Sequence, residues 1–167
     1  QYASITDAAQ TGLDITGDIS MECWIKVETL PSNSGGNNIG LITKVGTSNE
    51  SYYIILGGGD SVNAFYSSDG GATYYIKYTS TYDVVAGSWI HLAATITVAS
   101  QAFVIYADTV SKTLASVNSG TPTAIYNGTA RFIIGAYDAA VGTVDTATFY
   151  DGLIDEARVW SAVRTST

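Results

Sequence analysis

One histidine, one cysteine, four glutamates and eleven aspartates are the residues of this chain with chemistry to offer. Any triad must use His91, which stands two residues after Trp89 in a strand-like run. No Gly-x-Ser-x-Gly elbow presents a serine to it, so we read it as a structurally bonded strand histidine. Cys23 alone excludes an internal disulfide and a cysteine-built metal cage, and it is expected to be an inert core thiol. Glycoside hydrolysis needs two carboxylates flanking one bond. Glu22, Glu28, Glu50 and Glu156 are scattered, and Asp151 and Asp155, although four apart, are read as structural. No catalysis is expected.

Two resources remain, oxygen ligands and aromatic rings. Calcium takes carboxylate, amide and carbonyl oxygens from irregular loops, but turn formation accounts for most aspartates. Residues 138–145 lack the spacing and closing glutamate of an EF-hand loop. Tyr52, Tyr53, Tyr66, Tyr74, Tyr75, Tyr78 and Tyr82 crowd the middle third of the chain. Exposed rings stack on sugars while nearby hydroxyl, Asn and Asp groups bond them; the competing reading is ordinary strand packing. We single out Tyr66, Tyr74 and Tyr78, with Asn37, Asn38 and Asp138, as candidate ligand-binding residues. Asn37 and Asn38 end the polar loop 31–38, a binding loop or a tolerated insertion. Asn49-Glu50-Ser51 and Asn127-Gly128-Thr129 are glycosylation sequons of low information.

Positioning such residues falls to strands. The chain has 167 residues, enough for one domain with a sizeable core. Only 13% of residues are charged, 46% are hydrophobic, and the formal net charge is −8. So few basic residues give no footprint for nucleic acid or anionic membranes. No apolar run approaches the ~20 residues of a spanning helix, and abundant aromatics argue against disorder. Residues 19–27 alternate, with Ile19, Met21, Cys23, Ile25 and Val27 on one face and Trp24 on the other. Further strands are expected at 40–45, 52–56, 62–67, 73–79, 89–98, 102–107, 131–136 and 149–160, with a tight hairpin at 97–103. Alternation places Tyr74 and Tyr78 together and Tyr75 opposite. The fold class is all-β, a two-sheet antiparallel sandwich or barrel. Gln1 opens almost inside a strand-like run, so we expect a piece of a longer or processed protein.

Four segments then resemble one family in order. They are residues 2–5 with 13–26, residues 87–95 around Trp89-Ile90-His91-Leu92-Ala93, residues 103–108, and residues 149–160 around Asp151-Gly152-Leu153-Ile154-Asp155-Glu156-Ala157-Arg158. The chain resembles laminin-G-like, concanavalin-A-like lectin domains over nearly all of its length. The resemblance implies a jelly-roll of two antiparallel sheets, one concave, with first and last strands paired. Thr109 departs from the family's Gly, which implies a differently shaped hairpin tip. Related hydrolases carry Glu-x-Asp-x-x-Glu on one strand, a spacing absent here.

The same resemblance implies calcium in one of two places. One is a rim site of Asp69, Asn127 and the Ile125 carbonyl; the other uses Asp155 with Asp18. The function expected is a non-catalytic extracellular or surface recognition domain, binding a glycan or an extracellular protein with Ca2+. The alternative is a self-associating block of a surface fibre, virion appendage or adhesin stalk. Neither nucleic-acid binding nor membrane insertion is expected.

Overall fold

The computed structural model describes residues 1–165. Its strands are β1 (Ala3–Ile5), β2 (Ile19–Val27), β3 (Ile39–Lys44), β4 (Glu50–Leu56), β5 (Ser61–Gly70), β6 (Tyr74–Asp83) and β7 (Trp89–Thr97). They continue as β8 (Ala102–Ala107), β9 (Val110–Ser111), β10 (Leu114–Ser119), β11 (Phe132–Ile134), β12 (Asp138–Ala140), β13 (Thr143–Val144) and β14 (Gly152–Trp160). Two antiparallel sheets face each other. One has seven strands in the order β1-β11-β3-β4-β5-β6-β10, the other five in the order β14-β2-β7-β8-β9. No helix among the described residues is long and apolar enough to cross a membrane.

Alternation explains the core. Ile19, Met21, Cys23, Ile25 and Val27 all point inward from β2, as their spacing predicts. They meet Tyr52, Ile54 and Leu56 of β4 and Val62, Ala64 and Tyr66 of β5. Tyr66 stacks on Phe103 of β8, with ring centroids 5.7 Å apart across the two sheets. Burial pushes the Cys23 thiol up to about 12, helped by the adjacent Glu22 charge, so it stays an unreactive thiol.

The sequence places the major strands well, with four corrections. The last strand pairs with β2, the first long strand, and not with β1. The three exposed residues of β1 instead edge the seven-stranded sheet beside β11. Strands β9, β10, β12 and β13 escape the sequence reading, because they are short or exposed and carry no apolar alternation. The third correction concerns β14, which starts at Gly152, whereas a strand was expected from residue 149.

The fourth correction lies at the β8–β9 tip. Asp108 and Thr109 both sit at positive φ, 49° and 67°, the signature of a two-residue type I′ turn. The tip keeps a shape suited to glycine, and the β-branched Thr109 bears the strain. Thr109→Gly is therefore expected to stabilise the domain by ~1 kcal/mol. A urea titration checks this; no gain would mean that the threonine is relaxed there.

Candidate functional site

The outward face of the seven-stranded sheet carries a second aromatic layer. Cross-strand register aligns Tyr53, Phe65 and Ile76 in one row, with Ile55, Asn63 and Tyr78 in the next. Tyr53 and Phe65 stack with centroids 4.5 Å apart and planes 8° off parallel. Tyr74 leans on Phe65 at 5.8 Å, so the three rings form one floor. Phe65, the middle ring, is buried at 2% exposure, while Tyr53 and Tyr74 are partly exposed.

Walls turn this floor into a cleft of about 410 Å3. One wall is Tyr137 to Ala139. That segment can cross β3 so closely because a Cβ at Gly40 would fall inside the Ala136 backbone. Asp138 locks the wall from behind. Its side chain is fully buried, and it accepts from Arg131 at 3.0, 2.9 and 2.6 Å and from the Gly142 N–H at 2.9 Å. Asn38 contributes at the opposite end, its Oδ1 accepting from Gly58 N at 3.1 Å. Asp60 ties the same loop down by accepting from the Ser32 N–H at 2.8 Å.

Glu50 lines the cleft beside the rings. Burial raises its carboxyl above the ordinary range. Burial likewise raises the hydroxyls of Tyr53 and Tyr137, with the Glu50 charge contributing to both. These phenols stay protonated at neutral pH and act as donors and acceptors at the cleft surface. None of the residues lining the cleft is basic.

The sequence-derived candidates separate on this geometry. Tyr74 and Asn38 line the cleft. Tyr78 shares its face one row away, and Asn37 lies on the exposed loop outside it. Tyr66 is corrected to a core residue: it points inward, is fully buried and donates to the Pro122 carbonyl at 3.2 Å. Asp138 is corrected too, since Arg131 consumes its carboxylate and it supports the wall without offering ligand contacts. Sequence reasoning missed Tyr53, Phe65, Tyr137 and Glu50. The signal for Phe65 was present in β5, where Asn63 and Ser67 share its parity and mark that face as outward.

The calcium candidates also separate. Asp155 pairs with Trp24, six residues along β2 from Asp18, roughly 20 Å at ~3.3 Å per residue. The two cannot share an ion, and Asp18 instead accepts from the Val98 N–H at 2.9 Å. The rim candidates lie at one end of β5: Tyr126, between Ile125 and Asn127, donates its N–H to the Ser67 carbonyl at 2.7 Å, two residues before Asp69. Asp69 Oδ1, however, accepts from Ala72 N at 3.0 Å and Thr73 N at 2.7 Å, and these bonds hold its carboxyl below the usual range. One free carboxylate oxygen, one amide oxygen and one carbonyl fall short of the six to eight oxygens calcium takes. Among the described residues no group of three or more His, Cys, Asp or Glu side chains converges. His91 stands 3.4 Å from Glu22 and tilts against Trp24 at 5.2 Å, with no serine partner.

The family profile for the concanavalin A-like lectin/glucanases superfamily, laminin-G type, matches residues 1–167. The chain belongs to that superfamily. No curated protein matches this laminin-G-like chain. Among solved structures it is similar to a candidate carbohydrate-binding protein from Bacteroides ovatus, at 18% identity and a TM-score of 0.63. That match covers 98% of this chain and 42% of the other, so the chain spans less than half of that protein. It is similar to the CBM40 of a Ruminococcus gnavus IT-sialidase bound to α2,3-sialyllactose, at 12% identity and TM-score 0.68, over 92% of this chain and 80% of that one. It is also similar to a SAP-like pentraxin from Limulus polyphemus, at 12% identity and TM-score 0.58, over 90% and 66% of the two chains. Sialidases are among the other similar structures. At these identities the likeness shows the shared jelly-roll fold.

Proposed function

We propose that this laminin-G-like domain is a non-catalytic, extracellular carbohydrate-binding module whose ligand lies in the Tyr53–Phe65–Tyr74 cleft. The stacked floor beside Glu50 carries this reading: Tyr53 and Tyr74, partly exposed on either side of the buried Phe65, offer apolar contact to a sugar's C–H face, and Glu50, Tyr137 and Asn38 bond its hydroxyls. Chain-folding relatives described as carbohydrate binding support it. The absence of basic residues from the cleft lining favours neutral sugars over acidic ones. Hydrolysis would need a second working carboxylate near Glu50, and Asp138 is held by Arg131.

Calcium is a separate proposal at the rim of Asp69, Asn127 and Ile125, held with water completing its shell; Glu50 and Gly71 line both the cleft and the hollow at Asp69, so the two sites adjoin. Calorimetric titration with neutral oligosaccharides and with sialyllactose tests the main reading. Tyr74→Ala should weaken binding about tenfold, close to 1.4 kcal/mol, with neutral sugars preferred. Unchanged affinity in that variant, or binding of sialyllactose alone, would overturn it.

A further inference from the structure

All three tryptophans of the chain lie outside the core, and all three are on one surface. Trp24 faces away from the buried side of β2, and register brings it opposite His91, which puts Trp89, two residues earlier, on the same outward face of β7. Trp160 of β14 pairs with Ser20, again of outward parity. Trp24 is 40% exposed and Trp89 44%. A residue type that ordinarily supplies core volume is here spent on the outside of the five-stranded sheet.

We infer that this face is a second binding surface, for a neutral glycan chain lying along Trp89, Trp24 and Trp160. The inference does not rest on the cleft reading, which concerns the opposite sheet. Trp89 pairs with Lys26, two residues from Trp24, so the Cα atoms of the two tryptophans stand roughly 8 Å apart on adjacent strands. A hollow of about 390 Å3 lies between them, closed by Asp155 and Glu156. Those carboxylates are aimed by a bulge in β14, where Glu156 sits at a φ of 51°. Asp155 Oδ1 accepts from the Glu156 N–H at 2.8 Å, leaving Oδ2 as an acceptor beside the Trp24 ring. A second hollow of about 200 Å3 follows on the same face, between Trp160 and Tyr106, where the Arg164 guanidinium lies over one face of the Trp160 ring at 5.4 Å.

Flat indole plates rimmed by acceptor oxygens suit a ligand with an apolar face and donor hydroxyls at its edge. Glu156 pairs with Arg158, which also bonds Glu22 at 3.0 Å, and Lys26 stands opposite Trp89, so the face is mixed in charge and suits a neutral ligand over a polyanion or polycation. A protein partner fits less well. The exposed apolar side chains of the patch, Trp24, Trp89 and Leu153, are interrupted by Lys26 and Asp155, so they form no continuous apolar core for a protein interface.

Because the cleft is lined by tyrosine and phenylalanine, tryptophan emission reports on this face alone. The purified domain is titrated with hydroxyethylcellulose, xyloglucan, galactomannan and laminarin, following tryptophan fluorescence and retardation in native gels containing each polymer. A saturable emission change is expected with at least one polymer. It should weaken at least tenfold in Trp24→Ala/Trp89→Ala, weaken less in Trp89→Phe, which keeps a ring and the fold, and persist in Tyr74→Ala. No emission change with any polymer would overturn the inference, as would a change surviving in the double variant. A response only to poly-L-lysine or phosphatidylcholine vesicles would overturn it in favour of a cationic partner or a membrane. Loss in Tyr74→Ala with retention in the tryptophan variants would place all binding in the cleft and also overturn it.

Discussion

Arg131→Met is expected to destabilise the domain by about 3–5 kcal/mol, the cost of leaving a buried charge without its partner. The Asp138 side chain has no solvent access, and Arg131 supplies three of its contacts. Tyr137 stands next to Asp138 in the cleft wall, so the variant should also lose ligand affinity at temperatures where it remains folded. Arg131→Met combined with Asp138→Asn should recover part of the stability, because it removes the orphaned charge. Denaturant unfolding of the three proteins measures this; equal losses in single and double variants would show that packing, not charge, governs the site.

Lys44→Met should cost about 3 kcal/mol or more by the same rule. Its amine is only 1% exposed and donates to Asp7 at 2.7 Å and to the carbonyls of Gly128 and Ala130 at 2.6 and 2.9 Å, with Asp14 at 3.3 Å. It thus pins the N-terminal segment and the 128–130 loop to β3. The hydrogen bond to Lys44 holds the Asp7 carboxyl below the usual aspartate range. A carboxyl lowered in the folded state contributes stability above its unfolded pKa and loses it as pH falls through the folded one. Thermal melts of the wild type should therefore drop in acid through this window, and those of Lys44→Met should drop less. Parallel acid limbs would show that Asp7 is not linked to folding through Lys44.

Much of this was legible in the sequence, and the exceptions have physical causes. Residues 19–27 declare their buried face because apolar residues recur at every second position for nine residues. Tyr74 and Tyr78 fall on one face for the same reason. The same alternation was available in β5, yet the ring at Tyr66 points into the core and that of Phe65 points out, since burial follows parity and not side-chain polarity. Tyr137 had no periodicity to reveal it, being placed by a loop that long-range contacts to Gly40 and Arg131 hold in position. Separation of Asp18 from Asp155 depends on register between β2 and β14, which no local pattern encodes.

Chemical-shift mapping locates the ligand in the cleft residue by residue. The labelled domain is titrated with the neutral oligosaccharide that binds best by calorimetry, following backbone amides and tyrosine ring signals. Shifts are expected to concentrate at Glu50, Tyr53, Phe65, Tyr74 and Tyr137, with saturation matching the calorimetric affinity. Shifts that leave these five residues still while moving the indole N–H signals or the Asp69–Asn127 rim would contradict it.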